Sequence, residues 1–387
     1  MDTKITSKKA KSGRKLSFNS PGIAIFSVAS VLFSAHAGGG FATGNQENTY
    51  FVSLGWSGIV SLILAMLLLT LTMRQAMIMY NKYDLKSHKE LFQQLYHPFD
   101  KLEILFEIFF YIMVLMAVAA AISGAASAIN QYFDWNYYLN IIIIGCLVLG
   151  LTIFGADVVR IASTYMGIAI MISVLIIFSV GIIKADNISV VVSQNFQQNG
   201  FSNLPKAILT AFTYAGFQCV TLPTIIACGK VFQGQKNYGE KKSMWVSFVM
   251  NTVALGMAVI MLMSYQGIYS KSEAGLTLPT LTSLASMHMG WMMIVYGITL
   301  VLCLISTGVT TTFAFVSRFE NSKVVAKIQN PVRRRITISA FIIILSMTIA
   351  LAGLTNIIKF GYGYCGYLAI AIVVIPFLTI GVYKNRK

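Results

Sequence analysis

Apolar stretches long enough to cross a bilayer follow one another along almost the whole chain, separated by short polar breaks. A spanning helix takes about 20 consecutive apolar residues. On that measure the pattern predicts ten crossings, at 22–51, 56–80, 102–129, 137–154, 158–183, 204–231, 244–269, 291–317, 336–356 and 357–383. The first contains SAHAGGGFATGNQE at 34–47, with Gly38, Gly39 and Gly40 in a row. Each Gly costs about 1 kcal/mol relative to Ala inside a helix, so the spacing predicts an unwound turn rather than a continuous rod. Irregular backbone at membrane depth is tolerated only where protein buries it or a wet cavity receives it. The break therefore predicts a binding site. A second loosening is expected in 204–231, where Thr213, Tyr214, Ala215, Gly216, Phe217 and Gln218 precede Pro223, a residue suited to start a new half-helix.

Composition agrees with the class this pattern defines. Of 387 residues 56% are hydrophobic and 11% charged, with a mean hydropathy of +0.72, against roughly 25% charged in a soluble domain. The expected fold class is an all-α polytopic membrane protein of ten transmembrane helices. The net charge of +16 does not point to nucleic acid, because the basic residues alternate along the chain instead of gathering on one domain. Short cytoplasmic loops collect Lys and Arg. With the N-terminus inside, 25 of the 29 basic residues fall on the cytoplasmic side, leaving Lys184, Lys206, Lys271 and Lys359 outside. An odd number of crossings spoils that asymmetry, so both termini are expected in the cytoplasm of a plasma membrane.

Residues 1–20 read as a basic cytoplasmic tail, 21–383 as a single transmembrane domain and 384–387 as a cytoplasmic C-terminus. A cleaved signal peptide ending at Ala35-His36-Ala37 is the competing reading of the first apolar run. It would discard half of a segment whose other half still looks like a span. Ten crossings divide into two fives, 21–183 and 204–383, and an odd number per half makes the repeat inverted, with helices 1 and 6 the discontinuous pair. The five cysteines (Cys146, Cys219, Cys228, Cys303 and Cys365) lack metal-ligand spacing and read as small core residues. No P-loop, HExxH or GxSxG with suitable partners is present, so no enzyme is implied.

These residues resemble a known group. The glycine-interrupted first helix GGGFATGNQE, ten spans and a second break in the sixth resemble the amino acid, polyamine and organocation transporter superfamily with the LeuT-type fold. More narrowly, GFATGNQE followed by an aromatic and by Leu54-Gly55-Trp56 is similar to the GFASGQE pattern of YkvI-type bacterial membrane proteins, against which Asn45 is an extra residue. The resemblance implies a bacterial secondary transporter.

The half-helix beginning near Phe41 is expected to point free N–H groups and a positive dipole end at the gap, where a carboxylate fits. Carbonyls freed around Ser34 to Ala37 and Tyr214 to Gly216 suit an ammonium group or a cation. The candidate substrate set is Ala37, Gly38, Gly39, Gly40, Phe41, Tyr214, Ala215, Gly216, Phe217 and Gln218, and the substrate an amino acid or related amine. For each aromatic, lipid-facing or core packing stands as the alternative. In span eight, Thr307, Thr310 and Thr311 share a helix face. Sodium-coupled LeuT-type relatives join the first and eighth helices through an ion, and the resemblance carries that site to Ser34 and Ala37 carbonyls with Thr307, Thr310 and Thr311. Hydroxyls bonded back to their own helix are the other reading. Some proton-coupled relatives place a lysine in the fifth helix, which here has none before Lys184, and that favours Na+ over H+ as the coupling ion.

His36 and Glu47 are the proton or gating candidates; a neutral His bonded to a neighbouring helix and a solvated carboxylate are their alternatives. Glu103, Glu107, Asp157 and Arg160 are expected in gate or interfacial ion pairs. The run 276–289 is expected to fold over the outer mouth as a lid or lie in the headgroups. The function these features support is ion-coupled symport of a small amine-bearing solute by alternating access, with no cofactor and no nucleic-acid partner. A non-transporting receptor resembling germinant-receptor subunits is the rival, and a passive channel a third reading.

Overall fold

The fold of the chain is given by a computed structural model that describes residues 21–36, 38–154, 172–173, 175–185, 187–234, 238–320, 325 and 327–387. The glycine run does what its composition predicts. Helix α1 (Pro21–His36) stops two residues before it, and the chain resumes as two short helices, α2 (Gly39–Thr43) and α3 (Asn45–Tyr50). Gly38 is extended, and Gly44 between α2 and α3 is left-handed, with φ 80°. Thr280 packs against Gly44, so a side chain there would be both strained and crowded.

The next elements are α4 (Trp56–Lys82), the amphipathic surface helix α5 (His88–Tyr96), α6 (Glu103–Phe133) and α7 (Tyr137–Phe154). Ser87 caps α5 by accepting from the Glu90 amide. Most of the expected fifth span, with Asp157 and Arg160, lies outside the described residues. Its end, α8 (Leu175–Lys184), meets α9 (Ile188–Asn199) at 79°. The second half comprises α10 (Leu204–Gln218), α11 (Leu222–Gly229), α12 (Tyr238–Tyr269), α13 (Glu273–Thr277), α14 (Pro279–Ser286), α15 (Gly290–Phe319), α16 (Pro331–Ala350) and α17 (Leu354–Arg386), the last with several π-type turns.

Six of the described helical runs are long and apolar enough to span on those two criteria: α4, 100–133 around α6, 204–232 around α10 and α11, α12, α15 and α17. Helices α1 and α7 are shorter apolar elements, α1 because the glycines cut it. Arg333, Arg334 and Arg335 lie in the first turns of α16. The protein is thus a multi-pass, all-helical membrane protein. Two expected boundaries move. The ninth helix ends at Ala350 rather than at 356 because Gly353 turns left-handed (φ 83°), and the last run begins at Leu354 rather than 357.

The sixth span is also corrected. Thr213–Gln218 stays helical, and the helix loosens one turn later into a 3-10 turn at Cys219–Thr221, from which Pro223 opens α11. Gly216 serves packing: an added Cβ would meet the Gly366 carbonyl of α17 at 2.5 Å.

Two sets of helices enclose the broken first span. One joins α1, α4, α10 and α12; the other joins α6, α7, α15 and α16, with α15 packed along α6. The small-residue run in α6 permits this approach, since Gly124 lies against Leu304 of α15. Helix α2 packs against α6 and α15 of the second set and against α14. The 276–289 segment packs as α13 and α14 against α3, α12 and α15, burying Pro279, Leu281 and Leu284.

Candidate functional site

Where α1 gives way to α2, a cavity of about 360 Å³ opens between the broken first helix, α6, α10–α11, α15 and α17. Gly38 is the N-cap of α2 and accepts from the Ala42 amide at 3.1 Å, so the first amides of α2 are not used by the helix. The expected dipole end is weaker than a full half-helix would supply. The outer segment starts at Gly39, not near Phe41, and Gly44 divides it into pieces of 5 and 6 residues.

Of the candidate substrate residues, Gly38, Gly39, Gly40, Phe217 and Gln218 line the cavity. Phe41 is buried behind it, with ring centroids 5.8 Å from both His36 and Phe178. Tyr214 is buried behind the wall, touching His36, Gln46 and Phe217, while Ala215 and Gly216 are buried in packing contacts. Ala37 is outside the described residues. Of the candidate ion ligands, Ser34, Thr307, Thr310 and Thr311 line one cavity. A Cβ on Gly38 would lie 4.0 Å from Thr307 Oγ1 and 3.8 Å from the Ala35 carbonyl, which places that hydroxyl at the break. Thr310 spends its hydroxyl on its own helix, donating to Ser306 O at 2.8 Å.

His36 is 3% exposed and lines the cavity. Its Nδ1 is 2.6 Å from Asn251 Oδ1, and its Nε2 is 2.8 Å from the Tyr214 hydroxyl. Asn251 Nδ2 donates to Ser247 O at 2.8 Å, so its oxygen must face the imidazole. A neutral ring with hydrogen on Nδ1 satisfies both contacts, donating to Asn251 and accepting from Tyr214. This is the geometry of a histidine tied to neighbouring helices. Glu47 is fully buried, not a solvated helix-end carboxylate.

At its other end the cavity runs past Phe110, Met113 and Val114 of α6 and Ala314 of α15 toward Arg318. The Arg318 guanidinium lies 3.6 Å from the Phe110 ring centroid and 3.2 Å from Glu107, whose other oxygen is 2.5 Å from His88. Lys89 pairs with Glu103 at 3.2 Å. The away side is closed by packed rings, with Tyr214 4.8 Å from both Phe51 and Phe217.

Sequence reasoning passed over Gln46, Thr221, Thr224, Leu304, Tyr362 and the α6 wall. The α6 contribution had a signal, since Ala117, Ala120 and Ala121 belong to the small-residue run, but that run reads equally as helix packing. Asn45 was legible only as an insertion. Its Nδ2 lies 3.0 Å from the Leu276 and Thr277 carbonyls and 2.9 Å from Thr355 Oγ1, tying α3 to α13 and α17.

No protein-family model and no curated protein sequence matches the chain. Solved structures do. The chain is similar to MhsT in complex with L-phenylalanine, at 14% identity and a TM-score of 0.59, covering 94% of this chain and 91% of that one. It is also similar to the Eremococcus coleocola manganese transporter bound to an aromatic bis-isothiourea compound, at 15% identity and a TM-score of 0.57, covering 95% and 81%. At such identities the likeness is one of fold, and the fold is the LeuT type.

Proposed function

We propose that this protein is a secondary active transporter of the amino acid, polyamine and organocation superfamily, related to the YkvI-type proteins. It moves a small amine-bearing solute, an amino acid or close relative, in symport with sodium. The observation that carries the reading is the cavity at the first-helix break, where backbone no longer used by a helix meets hydroxyls of α15 and polar groups of α10. Its volume suits a small ligand. Among the described residues no three His, Cys, Asp or Glu side chains are grouped to hold a metal ion. The phenylalanine-bound neighbour is therefore the better guide to substrate than the manganese transporter.

The substrate carboxylate would meet the uncommitted amides of Gly39 and Gly40, with Gln46 and Gln218 beside it and Phe110, Phe217 and Tyr362 walling the side chain. Sodium would sit between the Ser34–Ala37 backbone and Thr307 and Thr311. Ten crossings in two inverted halves, 21–183 and 204–383, with both termini cytoplasmic, make the Arg318 end the cytoplasmic mouth, and the arrangement described is inward-facing. Alternating access then rocks the α1, α4, α10 and α12 set against the α6, α7, α15 and α16 set. Accumulation of labelled amino acids in proteoliposomes, with and without an inward sodium gradient, tests the reading: sodium-driven uptake is expected. Saturable binding without uptake would replace the transporter with a receptor. Uptake indifferent to every imposed ion gradient would indicate a channel.

A further inference from the structure

Glu47 lies on α3, on the closed side of the molecule, and has no exposed surface. Among the described residues, no other residue donates a hydrogen bond to either of its carboxyl oxygens. Thr280 Oγ1, also buried, lies against Gly44, one turn before Glu47. An ionised carboxylate in such a place, with no donor and no cation, is among the costliest arrangements a protein interior can hold. Two ligands relieve it, a metal cation or a proton. Hard cations take about six oxygens, and among the described residues no three His, Cys, Asp or Glu side chains are grouped here to supply them. A proton needs a single acceptor.

We propose that Glu47 is a proton-binding site, which takes a proton from outside water when the outer part of the first helix closes over it. Among the described residues, the groups around it supply no counter-charge. Tyr214 of α10 and Tyr296 of α15 lie within electrostatic range of it. The Tyr296 hydroxyl donates to the Ala42 carbonyl. Tyr50 on the same helix donates to Ile358 O, and Tyr269 of α12 to Asn48. Tyr362 of α17 faces the cavity. The charged groups of the adjoining α13 and α17 turns, Glu273 and Lys359, are exposed, and Glu240 lies at the opposite end of α12.

The site also reaches the cavity wall. The Tyr214 hydroxyl is 2.8 Å from His36 Nε2 and 3.5 Å from Gln46 Oε1, and both of those residues line the cavity. Protonation of Glu47 is thereby one tyrosine removed from bound solute. Its part in coupling rests on the transporter reading above; its occupancy by a proton does not.

Infrared spectroscopy of the full chain in liposomes at neutral pH tests the site. The wild type should show the C=O band of a protonated carboxyl, shifted in heavy water, that is missing in Glu47→Gln and kept in Glu240→Gln, the other fully buried carboxyl among the described residues, which accepts from Asn81 Nδ2 at 2.7 Å. Because the folded state keeps a proton that the unfolded chain has released, the folded-to-unfolded ratio should fall as pH rises above the ordinary carboxyl range, by up to about tenfold per pH unit, with a flatter profile in Glu47→Gln. A wild type without the band, or one whose band disappears with Glu240 alone, overturns the proposal, as does an equal pH slope in wild type and variant. A band that behaves as expected in a protein that takes up no solute leaves the proton site standing and rejects the transporter.

Discussion

Asn251 decides the chemistry of His36. Its amide nitrogen is spent on Ser247, so its oxygen accepts from the imidazole, and the ring turns its second nitrogen to Tyr214. A buried donor left without its acceptor costs about 1–3 kcal/mol, while removing both partners can be nearly neutral. Asn251→Ala should therefore lower the thermal melting point measurably. The double variant His36→Phe with Asn251→Leu should recover part of that loss, and a fully additive pair of losses would show that the contact carries no coupling. His36 was visible in the chain as an ionisable residue beside the glycines. Its partners were not, because Tyr214 and Asn251 lie 178 and 215 positions away and meet it only when α10 and α12 pack beside α1.

At the scale of the helix, the same residue type does three different jobs. Gly38 to Gly40 interrupt a span, Gly44 sets a left-handed turn, and Gly216 lets α10 and α17 touch backbone to backbone. The last two uses cannot be told from the first by counting glycines, which is why the loosening of the sixth span was expected at Thr213–Gln218 and occurs at Cys219–Thr221. The two kinds separate under substitution. Gly216→Ala drives a methyl into the Gly366 carbonyl and should cost about 1–3 kcal/mol. Gly363→Ala, whose Cβ would meet only Tyr50 Oη at 3.7 Å, should be neutral or gain up to about 1 kcal/mol from helix propensity. Melting curves of the two purified variants check this, and equal shifts would remove the packing role assigned to Gly216.

Across the whole molecule, the cavity belongs to both sets of helices at once: α1 and α10 supply one side, α6 and α15 the other. A sodium ion held between the first-helix backbone and α15 would bind one set to the other. Thr307→Val, which removes the hydroxyl nearest Gly38, should weaken apparent sodium affinity in proteoliposome uptake at least tenfold, about 1.4 kcal/mol. Thr310→Val should have a smaller effect, since that hydroxyl is already bonded to Ser306. The reverse order would move the ion away from Thr307.

Local cost and hydropathy were enough to read a membrane protein from the chain, along with most of its spans, the break at the glycines and the hydroxyl face of α15. Those features follow from interactions within a few residues and from the bilayer's intolerance of bare backbone. Which side chains share a wall depended on helix packing. Burial of Glu47 without a partner, the seating of Asn45 against α13 and α17, and the α6 lining of the cavity arise between segments far apart in sequence. No periodicity within one segment records the neighbour that another will bring.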